Sequence, residues 1–412
     1  MAVFRGFKAY RPAVDKQALI PALPYDVLSS DEAREKVKGT PYSFLHVDKA
    51  EIDLPKDVDV YSNAVYEKAR ENLLALENSG ALVQDDTPCM YIYRQVMNGR
   101  TQTGIVGCAS IDDYTNNVIK KHEHTLAKKE EDRVHHVDTC DANTGPIFLT
   151  YRGNPGIKQT ALSWMELHNP VYDFTADGVT QTVWVVDDCD VVAHLTELFS
   201  QVKSMYIADG HHRCASAVRV GEMRRAENPN YTGQEEFNYF LAVAFSDSQL
   251  EIMDYNRVVR DLNGLTVEQF LGKLSEKFVV EKSDGRFKPV EKHTFGMLIK
   301  DSWYSLSAKA EILEGLDPVS RLDVSILQDN VLAPILNITD PKNDDRIDFI
   351  GGIRGLQELE RRTSSDMTLA FAMYPTTVDD LMAISDAGLV MPPKSTWFEP
   401  KLLSGIFIHH LT

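Results

Sequence analysis

The 412-residue chain has no apolar run approaching the roughly 20 residues that cross a bilayer, so no membrane-spanning helix is expected. Cysteines are few: Cys89, Cys108, Cys140, Cys189 and Cys214 are odd in number, widely spaced, and form no C-x-x-C pair. That argues against a disulfide framework and a structural zinc knuckle, and a reducing cytoplasm is the expected compartment. The opening residues Met1-Ala2-Val3-Phe4-Arg5 lack the apolar core and cleavage site of a secretory signal. There is no internal repeat, no low-complexity linker and no visible basic patch. Basic residues are in deficit, with 43 Lys+Arg against 61 Asp+Glu and a net charge of −18. Such a surface repels nucleic acid and anionic lipid, so neither is an expected partner. A phosphate-bearing ligand would need a locally basic pocket.

What is there is an ordinary globular composition, 43% hydrophobic and 25% charged. The length suggests two domains, or one large domain with an extension. A helix is expected near 61–79, where Tyr61, Val65, Ala69, Leu73, Leu74 and Leu76 approximate one apolar face. Residues 90–96 and 103–111 flank Asn98-Gly99, which predicts a hairpin. Residues 118–121 read as a strand running into His122-Glu123-His124-Thr125, and a helix is expected over 126–140. A strand at 183–186, a helix at 195–202, a strand at 205–208, a helix at 214–227 and a strand at 239–245 follow. Beyond Asp254-Tyr255-Asn256-Arg257 a fresh α/β alternation begins. It has helices at 266–277, 318–330, 354–362 and 376–387 and strands at 278–281, 295–299, 347–350 and 368–373. The pattern predicts an α/β fold with a boundary near 250–260.

The sharpest local signal is Asp209-Gly210-His211-His212-Arg213, between an apolar strand and an Ala/Ser-rich helix. Gly210 permits a sharp turn, and the free N–H groups of the new helix favour an anion. His211, His212 and Arg213 add donors, and a guanidinium matches phosphate in a bidentate manner. A second constellation is Lys128-Lys129-Glu130-Glu131-Asp132-Arg133-Val134-His135-His136. In a helix, Lys129, Arg133 and His136 fall on one face as a cationic stripe; the alternative is a solvated helix surface. His122 and His124 share one side of a strand and could ligate zinc, but H-E-H-T is not H-E-x-x-H and no third ligand is fixed by spacing. A magnesium ion brought in with a nucleotide needs less, one or two carboxylates plus phosphates. Two loops complete the set. Pro24-Tyr25-Asp26-Val27 puts polar residues on a rigid turn, and 391–405 offers Lys394, Thr396 and Lys401 in a non-helical segment that lacks a Walker A pattern.

Taken together, Pro24-Tyr25-Asp26-Val27, His122-Glu123-x-Thr125, Asn143-x-x-Pro146-Ile147-Phe148, Asp209–Arg213 and Pro393-Lys394-Ser395-Thr396 resemble one large bacterial and archaeal family of uncharacterised function. The Asp-Gly-His-His-Arg turn is similar to that of the ParB/sulfiredoxin-like superfamily, which includes free serine kinases. The resemblance implies a ParB/sulfiredoxin-like catalytic core at 119–255, an N-terminal segment at 1–118 contributing to the site, and a C-terminal α/β domain at 256–412. It implies a cytoplasmic small-molecule kinase of amino-acid metabolism, passing phosphate from ATP or ADP, with Mg²⁺, to a hydroxyl acceptor, foremost free L-serine. Glu123 would then be the base, Asp209 and His212 catalytic, and Asp209 the carboxylate near the metal. Gly210, His211, Arg213, Lys129 and Arg133 would hold phosphate. Tyr25, Asp26, Asn143, Lys394 and Thr396 would meet the substrate. A cysteine precedes the His-Arg pair in sulfiredoxins, where this chain has His211, and no helix-turn-helix of the ParB kind is visible. Two other classes stay open: a metal-dependent phosphatase or hydrolase, and a non-catalytic nucleotide-binding regulator.

Overall fold

Runs rich in Val, Ile, Tyr and Phe form the strands of one large sheet. The structure is a computed structural model describing residues 1–412. The nine strands are β1 (Phe4–Arg5), β2 (Met90–Met97), β3 (Arg100–Ser110), β4 (Ile119–Lys120), β5 (Ile147–Tyr151), β6 (Tyr172–Ala176), β7 (Val179–Val186), β8 (Met205–Asp209) and β9 (Tyr239–Ser246). Their order is β4-β8-β5-β9-β3-β2-β7-β6, with β1 on the end of β3. β8 is parallel to β4 and β9 to β5, and the other pairs are antiparallel. The β2–β3 hairpin turns at Asn98 (φ 51°) and Gly99 (φ 80°), the double left-handed geometry that Asn-Gly suits. Strand β5 is buried along its whole length, as a strand paired on both edges and covered on both faces should be.

The five longest helices of this part are α1 (Asn63–Asn78), α2 (Ala127–Cys140), α3 (Pro155–Leu167), α4 (Cys189–Ser200) and α5 (His211–Glu227). Phe4, Ile92, Ile105, Leu149, Phe199, Ile207 and Phe240 form the main core between the sheet and its helices. Helix α2 lies against both α5 and α1. A second core, with Phe44, Leu45, Val65, Leu73 and Ala142, takes in Ile408 from the chain's last residues. Those residues return as an isolated pairing of Ala22 with Ser404 and a short ladder of His409 and His410 on Asn143 and Ala142. The segment 400–412 is thereby laced to the sheet side that carries Asp209.

The chain divides into two compact units, Met1–Leu250 with Pro400–Thr412, and Glu251–Glu399. Residues 1–118 and 119–250 contribute strands to the same sheet, and Pro400–Thr412 belong with them rather than with 256–399. The second unit is built on an antiparallel sheet of six strands, ordered Phe278–Lys282, Ser302–Ala308, Thr294–Ile299, Leu369–Met373, Tyr255–Val259 and Ile347–Gly351. Its helices Val267–Lys277 and Val378–Asp386 start at capping boxes of Thr266 with Gln269 and Thr377 with Asp380. The helix expected over 318–330 is only Asp323–Leu327 followed by one wide turn, Gln328–Leu332, because the preceding residues are tied into a loop by Asp317. No helix is long and apolar enough to cross a membrane.

Candidate functional site

Strand β8 is buried from Met205 to Ala208 and delivers Asp209 at its C-terminal end. Gly210 follows at φ 91° and ψ 32°, a left-handed conformation that costs a side-chain-bearing residue about 1–2 kcal/mol. A Cβ there would also stand 3.2 Å from Nε and Nη2 of Arg213. Helix α5 begins immediately, at His211, three residues before the sequence pattern suggests, and no side chain caps it. Its first N–H groups therefore lack intrahelical acceptors, and the positive end of a 17-residue helix dipole sits at the turn.

Three cations and one carboxylate define the electrostatics. Lys401 Nζ donates to Asp209 Oδ2 at 3.2 Å, and Arg213 Nη2 stands 4.0 Å from the same oxygen. Burial pushes Asp209 up, yet Lys401, Arg213 and His211 together hold it well below the usual carboxylate range. Arg213 Nη1 donates to the carbonyl of Pro146 at 2.7 Å, fixing the guanidinium across the turn. Arg133, from α2, is buried with its guanidinium 4.2 Å from the Tyr25 ring centroid and Nε on Asp132 Oδ2 at 2.9 Å. Arg133 and Arg213 line one small cavity with Tyr25, Asp48 and Asn143. It encloses about 20 Å³, room for about one water. Burial and neighbouring acids outweigh the pull of Arg133 and push the Tyr25 hydroxyl up to about 12.

Two histidines beside the turn are neutral. Burial lowers His122 to about 4 against the pull of Asp209, and burial together with His122 holds His211 well below the usual histidine range. Their rings meet edge to face, with centroids 4.5 Å apart at 88°. Nε2 of His211 has no hydrogen-bond partner, and His122 has no well-formed one, only a weak contact with the backbone of Ile207. Buried polar atoms are rarely left so, and in native proteins such atoms commonly face a ligand or water. Glu123 Oε2 lies 3.8 Å from His211 Nδ1, with its side chain 46% exposed.

Residues 4–325 match the model of a family described as a protein of unknown function, DUF1015. The chain belongs to this family. No curated protein matches it. Among solved structures it is similar to a free serine kinase variant in complex with AMP, at 11% identity and a TM-score of 0.37, covering 74% of this chain and 92% of that one. It is also similar to SbnI with a C-terminal truncation from Staphylococcus aureus, at 12% identity and 0.38, covering 73% and 85%. A conserved hypothetical protein from Pyrococcus furiosus gives 13% identity and 0.34, covering 76% and 98%. At such values these likenesses carry no argument about chemistry.

In this DUF1015 protein the expected site residues divide. Asp209, Gly210, His211, Arg213 and Glu123 gather at the turn, and Arg133, Tyr25 and Asn143 meet Arg213 at the cavity. His212 spends Nε2 as an acceptor for the N–H of Leu126 at 3.0 Å, so this atom pins the residue before α2 to the start of α5. Asn143 is buried, its Oδ1 accepting from the N–H of Leu241 at 3.1 Å and lying 3.1 Å from Nδ1 of His409. The stripe on α2 is broken: Arg133 and His136 are buried, while Lys129 is exposed in the first turn. Asp26 is exposed. Lys394 and Thr396 fall in the second unit, where Lys394 has φ 62° and its carbonyl accepts from Arg257 Nη2 at 3.0 Å. As a metal ligand Asp209 fits poorly, because Lys401 already pairs with it and no three His, Cys, Asp or Glu side chains converge on one point. Lys401 was visible in the sequence only as one lysine of a loop. Its pairing with Asp209, 192 residues away, left no local signal.

Proposed function

We propose that this protein holds the phosphates of a nucleotide at the Asp209–Arg213 turn and passes a phosphoryl group from ATP or ADP to a small hydroxyl compound, with free L-serine the leading acceptor. The observation that carries the reading is the left-handed Gly210 between a buried strand and an uncapped 17-residue helix, which leaves N–H donors for an anion. Phosphoryl transfer asks mainly for positioning and charge neutralisation, which this cluster can supply. The α5 N–H groups and Arg213 would bind phosphate, and Lys401 would add charge while holding Asp209. His122 and His211, being neutral, could donate without competing for the cations. Glu123, half exposed beside His211, is the group proposed to take the acceptor's proton. On this reading 119–255 forms a ParB/sulfiredoxin-like core, with Tyr25, Arg133 and Asn143 at its edge. The donor set does not fit a divalent ion held by the protein itself, so no step is assigned to magnesium.

The test is incubation of the pure chain with nucleotide labelled at its terminal phosphate, alone and with L-serine or other hydroxylated metabolites. Label appearing on an acceptor, and only when that acceptor is present, is the expected outcome. Nucleotide turnover indifferent to every added hydroxyl compound would remove the transferase reading. Tight nucleotide binding without turnover would leave a regulator.

A further inference from the structure

The second unit contains a cavity of its own, about 270 Å³, far larger than the one beside Arg213. It exceeds the ~150 Å³ void that admits benzene. Lys292, Arg321, Asp323 and Asp380 bring both signs of charge to its lining, with Thr376 and Tyr374 between apolar residues such as Ile384. Asp323 is 8% exposed, and both carboxylate oxygens accept from the N–H of His293, at 2.9 and 3.0 Å. His293 Nδ1 lies 3.0 Å from Oδ1. His293 adopts φ 67°, a left-handed conformation rare for a histidine, which turns its N–H onto the acid. Burial pushes Asp323 up to about 7, against the pull of the His293 N–H and Lys292, so its charge is not fully compensated within the protein. Lys292 is taken by Asp380 at 2.8 Å. Arg321 is not: its guanidinium makes one long hydrogen bond, Nη2 to the Leu316 carbonyl at 3.4 Å. Thr376, 9% exposed, also lines the cavity. A buried acid held only by His293, a guanidinium with one long hydrogen bond and a threonine hydroxyl therefore border one space.

A simple anion would meet Asp323 and Asp380 in that space, and a simple cation would meet Arg321 and Lys292. A molecule carrying both charges answers both. We propose that the cavity of the second unit binds a small zwitterion of the free amino acid class, with its carboxylate on Arg321 and its ammonium on Asp323. This site is separate in sequence and unit from the Asp209–Arg213 turn and does not depend on the activity assigned there.

The probes are the common L-amino acids other than L-serine, the acceptor proposed for the Asp209–Arg213 turn, each tested at millimolar concentration on the full chain by calorimetry and thermal shift. At least one should bind. Its N-acetyl derivative, which loses the ammonium, and its amide, which loses the carboxylate, should each bind about tenfold or more weaker, the scale of a lost charge-assisted hydrogen bond. Arg321→Met and Asp323→Asn should weaken it similarly. Arg321 is exposed, so the first variant tests binding without disturbing the core. Arg213→Met should leave binding unchanged. The proposal is overturned if no amino acid binds, if acetate or inorganic phosphate binds as well as the amino acid, or if binding survives both second-unit variants. Loss of binding in Arg213→Met with retention in Arg321→Met would place the ligand at the other site and also overturn it.

Discussion

Replacing Lys401 by Met keeps the apolar stem and removes the charge that faces Asp209. Nζ and Oδ2 are 3.2 Å apart, a bare attraction of about 5 kcal/mol at an effective dielectric of about 20. Most of that is offset. The two side chains are 15% and 32% exposed, so water screens the pair, and ordering and desolvating both groups costs free energy. Arg213, at 4.0 Å, remains to share the carboxylate. A net loss of about 1–2 kcal/mol is expected, between an exposed pair and a fully buried one. The sign of its pH dependence follows from Asp209. Its folded-state pKa is depressed, so the stability it contributes is present above the unfolded value of about 3.9 and disappears as pH falls toward the folded value. Urea denaturation of both proteins at about pH 7 reads the loss directly. The wild type should unfold at higher urea, and the gap should narrow only in strong acid, once Asp209 of the folded variant takes up a proton. Equal midpoints at neutral pH would refute the reasoning.

Glu123→Gln keeps shape and removes the proposed base, so acceptor-dependent turnover should fall by on the order of 10²–10⁴ with nucleotide affinity unchanged; a drop in melting temperature with normal turnover would mark a structural pair instead. Gly210→Ala should cost about 1–2 kcal/mol in denaturant unfolding, because its φ of 91° is left-handed, and unchanged stability would deny that conformation. Asp323→Asn should stabilise the protein by about 1–2 kcal/mol at about pH 8, less than the roughly 4 kcal/mol spanned by about three pH units, since the new amide nitrogen faces the His293 N–H. Asp323 binds a proton in the folded state that the unfolded chain has already released. Wild-type stability should therefore fall relative to the variant as pH rises from about 4 to about 7 and then level off. The difference between the two pH profiles is the readout, because buried neutral histidines such as His122 tilt the total the other way.

The turn was legible because its information is local. An apolar run, Asp-Gly and a small-residue helix are adjacent, and the structure gives β8, the left-handed Gly210 and α5 in that order. The Asn98-Gly99 hairpin and α2 were readable for the same reason. Strand β5, central in the sheet, was not read: five fully buried residues have no alternation, and periodicity cannot identify such a run. Helix α3 shows no clear periodic pattern in the sequence, although Asn154 caps it and Pro155 opens it. Helical spacing puts Lys129, Arg133 and His136 on one face of α2 but does not say how far the neighbouring chain covers it. Arg133 is covered and Lys129 is not. Lys401 on Asp209, Asn143 beside His409 and the mixed-charge cavity around Asp323 all depend on long-range pairing, which one sequence does not display.

The central claim is that the Asp209–Arg213 turn holds phosphate, and calorimetric titration of ADP into the wild type and Arg213→Ala tests it most directly. Circular dichroism would check that the variant is folded, since Arg213 also donates to the Pro146 carbonyl. The account predicts a loss of about 1.5–3 kcal/mol in binding free energy, the range for a hydrogen bond to a charged group. Unchanged ADP affinity in a folded Arg213→Ala protein would contradict it.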